Sequence, residues 1–169
     1  MANGANRDIS VDHVRITVSY TPPALLVSGN AYAGDGTEDL MACDGSTKNI
    51  AVVVGTSTPG KFTTNCADSG NSFSVTLTGT TALSADTPII AYIDGVINVY
   101  GTTAALYDGS GDQIGLTVRQ NRLIVSSDTA TAVTNTHLDK WDSNDDADVN
   151  YDVTGSDLTV ESSATLRVN

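Results

Sequence analysis

The sequence predicts an all-β fold with one short helix, and three observations predict it. Apolar and polar residues alternate along Val14-Arg-Ile-Thr-Val-Ser-Tyr20, a period of two that buries one face of a strand and wets the other. Turn-forming residues recur at short intervals: Gly34-Asp-Gly36, Asp44-Gly45, Pro59-Gly60, Ser69-Gly70, Asp94-Gly95 and Asp108-Gly-Ser-Gly111. Val, Thr and Ile are abundant while helix formers are scarce, which favours a pleated, half-buried backbone. Short strands between frequent turns indicate a sandwich or barrel.

Along the chain, the amphipathic strand Val14–Tyr20 follows a polar tail and precedes Thr21-Pro22-Pro23, whose prolines hold an extended path. Strands are then expected at Leu25–Tyr32, Ile50–Val54, Lys61–Asn65, Ser72–Leu77, Ile89–Ile93, Ile97–Tyr100 and Ala104–Tyr107. Further ones are expected at Ile114–Val118, Arg122–Ser126, Val149–Val153, Leu158–Val160 and Thr165–Val168. The helix is expected at Thr134–Trp141, where Thr134 or Asn135 offers a cap and Leu138 and Trp141 stand three apart. It would plug one edge of a sheet. Three sections result: 1–23 as tail, strand and connector, 24–112 as the main sandwich, and 113–169 as a smaller β-rich section with the helix and an acidic loop.

The 169 residues carry a formal charge of -12. That charge repels a phosphate backbone, since nucleic-acid binding rests on clustered Lys and Arg, and it disfavours anionic membrane surfaces. No apolar run approaches the roughly 20 residues of a membrane-spanning helix. Met1–Arg7 lacks the hydrophobic stretch of a secretory signal, so the chain is expected to be a mature or excised piece of an exported protein, or else intracellular. The cysteines favour export. There are two, Cys43 and Cys66, each beside turn residues. A bridge between them would contribute roughly 3 kcal/mol through loop closure; two unpaired thiols are the alternative. Neither has a second thiol or a His at metal-ligand spacing.

Chemistry-bearing residues are few. The run Asp142-Ser-Asn-Asp-Asp-Ala-Asp148 places oxygen donors at Asp142, Asn144, Asp146 and Asp148. Calcium takes six to eight hard oxygens, and a curled loop of this kind supplies several. A calcium-binding helix–loop–helix would need Gly at Ala147 and Glu at Val153, so a solvated acidic turn is the competing reading. His13 and His137 cannot be tied to a nucleophile by spacing, and no Gly-rich phosphate loop precedes a helix. A non-enzyme is expected. Trp141 and the tyrosines would suit a glycan platform, though their dispersal favours packing.

Beyond this pattern, three stretches carry a resemblance: Ser28-Gly-Asn-Ala-Tyr-Ala-Gly-Asp-Gly36, Asp68-Ser-Gly-Asn-Ser-Phe-Ser-Val75 and Ala91-Tyr-Ile-Asp-Gly95. With them Ser28–Asp94 resembles the Ig-like, prealbumin-type B-repeat modules strung along large bacterial surface proteins. The continuations Ile114–Val125 and Val133–Val149 are similar to a segment that follows such modules in very long bacterial exoproteins. Residues 8–23 resemble the last strand of a preceding domain. The resemblance implies an immunoglobulin-like β-sandwich with a structural role outside the cell. Some such repeats lock themselves with an isopeptide bond whose lysine lies on the first strand. Leu25–Tyr32 has no lysine, and none is expected here. The ending Asp157–Val168 resembles one rung of a β-solenoid.

The expected function is therefore a non-catalytic extracellular subunit or module of a filament or matrix, a homo-oligomer assembled by β-strand pairing. Ile9, Val11, Val14, Ile16, Val18 and Tyr20 are the donor-strand candidates, because an unpaired amphipathic strand is a liability unless it completes a sheet. The alternative reading makes the same strand the first of its own sheet. The alternative function is an adhesin-type module binding glycan or a calcium-bridged ligand through 134–149.

Overall fold

A computed structural model describes residues 24–33, 49–55, 61–65, 71–77, 83–96, 98–127, 129–142, 147–161 and 164–169. It is mostly β, with a single short helix among the described residues. The strands are β1 (Leu25–Tyr32), β2 (Asn49–Val54), β3 (Lys61–Asn65), β4 (Ser72–Leu77), β5 (Pro88–Asp94) and β6 (Thr102–Leu106). They continue as β7 (Gln113–Arg119), β8 (Arg122–Ser127), β9 (Tyr151–Thr154), β10 (Asp157–Val160) and β11 (Thr165–Val168), with α1 (Asn135–Asp142) between β8 and β9. Residues 1–23, the two cysteines, Asn144 and Asp146 lie outside the described residues.

Three sheets form, in the orders β4-β1-β7, β11-β8-β6-β5-β2-β3 and β10-β9. Alternation explains the first sheet: β4 exposes Ser72, Ser74 and Thr76 and buries Phe73, Val75 and Leu77. β1 buries Leu25, Val27, Gly29 and Ala31 in the same rhythm. These residues join Ile50, Val52 and Val54 of β2, Ile89, Ala91 and Ile93 of β5, and Leu116 and Val118 of β7 in one hydrophobic core. That core fills the space between the first sheet and one face of the six-stranded sheet.

The intervening residues of the same strands point the other way. Ala51 and Val53, Ile90 and Tyr92, Ala104, and Leu123 and Val125 meet Leu138 and Trp141 of α1 and Val149, Tyr151 and Val153 at and beside β9. The central strands are thus buried on both faces, which is why Ile50–Val54 and Ile89–Ile93 read as unbroken apolar runs. Three layers result: a three-stranded sheet, a six-stranded sheet, and a cover made of α1 and the β9–β10 hairpin.

Close approaches fix how the layers meet. A Cβ on Gly29 would collide with the carbonyl oxygen of Leu116, so β1 and β7 approach at a distance only glycine permits. There the parallel register slips, Val27 facing Gln113 and Gly29 facing Leu116, and Gly115 takes φ 79° in the bulge. At the neighbouring corner the Thr103 hydroxyl donates to the Thr117 carbonyl, drawing β7 onto β6. Residues 113–127 supply β7 and β8, so strands on either side of position 112 share the same two sheets.

Two local expectations differ from the structure. Residues 98–100 are not a strand: the Val99 N–H donates to Val96 O at 3.2 Å and Asn98 sits at φ 60°. A turn therefore occupies the place where apolar residues suggested a ladder. The helix lies over the face of the six-stranded sheet, not at its edge, because the Trp141 ring seats beside Tyr92 of the central strand β5, centroids 6.4 Å apart.

Candidate functional site

The cover layer holds most of the chemistry-bearing residues, and each is built into it by a local rule. Thr134 precedes the helix and its carbonyl accepts the N–H of His137 at 2.9 Å and of Leu138 at 3.2 Å. The His137 ring then reaches back, its Nδ1 accepting the Thr134 N–H at 3.1 Å. This is the return half of a capping box, the N3 side chain on the N-cap N–H, with imidazole standing where Glu or Gln is usual. His137 is a cap.

At the other end of α1, Asp142 Oδ2 accepts the Val153 N–H at 2.7 Å and so ties the helix to β9. Burial pushes the Asp142 carboxyl above its ordinary value; the Val153 N–H pulls it down, and Asp152, Asp139 and Glu161 push it further up. A negative charge at a helix C-terminus opposes the helix dipole as well. Asp148 Oδ2 accepts the Gly95 N–H at 3.0 Å. Of the four expected calcium donors, the two described ones each spend an oxygen on a separate main-chain N–H. Among the described residues no group of three or more His, Cys, Asp or Glu side chains is placed to hold a metal ion.

Trp141 is buried against Tyr92, and its indole Nε1 has no hydrogen-bond partner. Tyr151 donates its hydroxyl to Leu138 O at 3.1 Å, and burial, ahead of Asp142 and Asp139, pushes that phenol upward. Neither ring forms an exposed platform. Asn150, fully buried, donates from Nδ2 to Arg122 O at 3.0 Å, while its Oδ1 has no partner. Such a buried, unpaired acceptor costs about 1–3 kcal/mol.

Sequence reasoning missed two polar sites. Asn71 is buried at φ 52°, its Nδ2 donating to Ala31 O at 2.7 Å while its main-chain carbonyl accepts the Ala31 N–H at 2.8 Å. Only its position after Ser69-Gly70 hinted at a left-handed residue. Buried Arg119 lies 4.3 Å over the Tyr32 ring, a pairing that no spacing could announce across 87 residues of chain.

A different surface feature is the edge strand β11. It pairs with β8 in parallel, Thr165 to Val168 facing Arg122 to Val125, and has no second neighbour among the described residues. All four of its residues are exposed, Leu166 at 42% and Val168 at 72%. The six donor-strand candidates, Ile9 to Tyr20, and the Cys43–Cys66 pair lie outside the described residues, so no contact of theirs enters this geometry.

No helix among the described residues is long and apolar enough to cross a membrane. No family model, no curated protein and no solved structure matches the chain.

Proposed function

We propose that this chain is a non-catalytic structural module that works outside the cell, an Ig-like β-sandwich with an added cover layer, joined to further copies by β-strand pairing. The observation that carries the reading is how the reactive side chains are spent. His137, Asp142 and Asp148 each hold a main-chain N–H, so the groups best suited to acid–base or metal chemistry serve the scaffold. The alternating segment Val14–Tyr20 adds support, since it carries the pattern of a strand that needs a sheet to complete. In this reading Ile9, Val11, Val14, Ile16, Val18 and Tyr20 are the donor side chains, and a Cys43–Cys66 bridge would brace the body.

Deleting residues 1–20 tests it. The expected result is loss of filaments in negative-stain microscopy, with a folded domain left in solution by circular dichroism. Filaments persisting after the deletion would remove the donor role. A reproducible glycan-array hit, or calcium heat that depends on Asp142 and Asp148, would favour the adhesin reading over assembly.

A further inference from the structure

We propose that β11 is the acceptor edge, and that the segment Val14–Tyr20 of a second copy adds to it as a seventh strand of the six-stranded sheet. The inference rests on the strand-pairing reading above and names the surface on which it acts.

The hydrogen-bond pattern shows which groups β11 offers. Thr165 N donates to Asn121 O and Asn169 N donates to Val125 O, each at 3.0 Å. Main-chain groups in a parallel ladder alternate in direction. Those of Leu166 and Val168 therefore point away from β8, toward the side on which no described strand lies. Their side chains lie opposite Leu123 and Val125, so they continue the apolar face that the cover layer buries over β8. The other edges are less open. β3 runs beside β4 and β7 beside β6 of the facing sheet, β9 lies against α1, and β10 starts at Asp157 and is followed by Glu161 in a chain already carrying -12.

Charge and reach select the occupant. In residues 1–23 Arg7 and Arg15 balance Asp8 and Asp12, so this neutral segment approaches an acidic body without repulsion, and Arg167 adds a positive charge to the edge. Reach favours a second copy over the chain's own edge. β1 and β7 are parallel neighbours, β7 abuts β6, and β11 lies two strands beyond β6. With strands about 4.8 Å apart and sheets about 10 Å apart, the free side of β11 is about 20 Å from the start of β1. The steps from Tyr20 to Leu25 span at most about 17 Å when fully extended.

The test uses the full chain. Val168→Pro removes one outward N–H while leaving the Thr165 and Asn169 bonds to β8, and proline is tolerated on the open side of an edge strand; Leu166→Pro repeats the test at the other outward group. Sedimentation velocity over a concentration series, with circular dichroism as the folding control, is expected to show assembly of the parent chain. Both variants should stay folded and associate at least about tenfold more weakly. Hydrogen exchange at the Leu166 and Val168 amides of the unmodified chain should slow as concentration rises, a readout independent of any variant. Folded variants that assemble like the parent would overturn the assignment of β11; if deletion of residues 1–20 still abolished assembly, strand donation would stand with another acceptor. Protection of those two amides in a chain that stays monomeric would place the occupant in the same molecule and overturn the second copy.

Discussion

The two faces of the six-stranded sheet are built on different principles. Its inner face meets the three-stranded sheet through mainly aliphatic residues with Phe73 among them, and Ile50, Ile89, Ala91 and Ile93 are fully buried there. Its outer face meets α1 and the β9–β10 hairpin through aliphatic residues together with the rings of Tyr92, Trp141 and Tyr151, and leaves Trp141 Nε1 and Asn150 Oδ1 unpaired. The inner core therefore owes its stability to area and packing, whereas the outer layer is pinned by polar contacts: the His137 cap, the Asp142–Val153 bond, Tyr151 to Leu138 O, and Asn135 Nδ2 to Ser156 O at 2.6 Å. A sheet covered on both sides can have one rigid face and one that opens locally.

The largest effect expected from breaking this contrast is at the inner face. Ile89→Ala should cost about 2–5 kcal/mol by urea denaturation, because it leaves a cavity between two sheets that cannot collapse independently. It should lower hydrogen-exchange protection in both sheets together.

Trp141→Phe should cost less, under about 1.5 kcal/mol, since the indole N–H it removes has no partner and most of the apolar volume remains. Exchange should speed up first in 135–160, while β2 and β5 keep their protection. Simultaneous loss in all three layers would show that the cover is not a separate unit.

At the helix start, His137→Ala should cost about 0.5–1 kcal/mol, and His137→Gln should restore most of it, because glutamine fills the same role in a capping box. Equal loss in both variants would mean that the ring packs instead of capping.

The smallest effect is that of pH on Asp142. Its folded carboxyl sits above the ordinary value of 3.8, mainly through burial, so the folded chain binds that proton more tightly than the unfolded chain. The resulting stability is present in full below 3.8 and is lost as pH rises through the elevated folded value. Asp142→Asn keeps an oxygen for the Val153 N–H and drops the charge. It should flatten that part of a melting-temperature profile and leave neutral-pH stability equal or slightly higher.

Much of the inner half was legible in the sequence, because alternation is a property of a strand with one wet face. The bounds of β1, β3, β4 and β11 were readable to the residue, and α1 to within one residue at each end. The outer layer was harder to read. The runs Ile50–Val54 and Ile89–Ile93 do signal burial on both faces, but nothing local says what covers the second one. Trp141 looked like a plug for an edge until Tyr92 supplied its seat. The stretch Ile97–Tyr100 looks like a strand, yet the left-handed backbone at Asn98 depends on a turn returning the chain to Gly101, whose carbonyl accepts Ile93 N–H at 3.0 Å. The roles of Asn71, Arg119 and Asp142 depend on partners far along the chain, which spacing cannot supply. The edge at β11 belongs to the same class: Thr165–Val168 reads as a strand, but which of its amides face away from β8 follows only from the β8 pairing.

The most direct measurement mixes two full-length variants, each defective in one half of the joint. Ile16→Asp with Val18→Asp spoils the donated strand and leaves β11 intact; Val168→Pro spoils β11 and leaves the donor. Each alone should sediment as a monomer, and the equimolar mixture should form a closed pair that grows no further. A mixture that sediments as two unchanged monomers, beside a parent chain that assembles, would contradict the account.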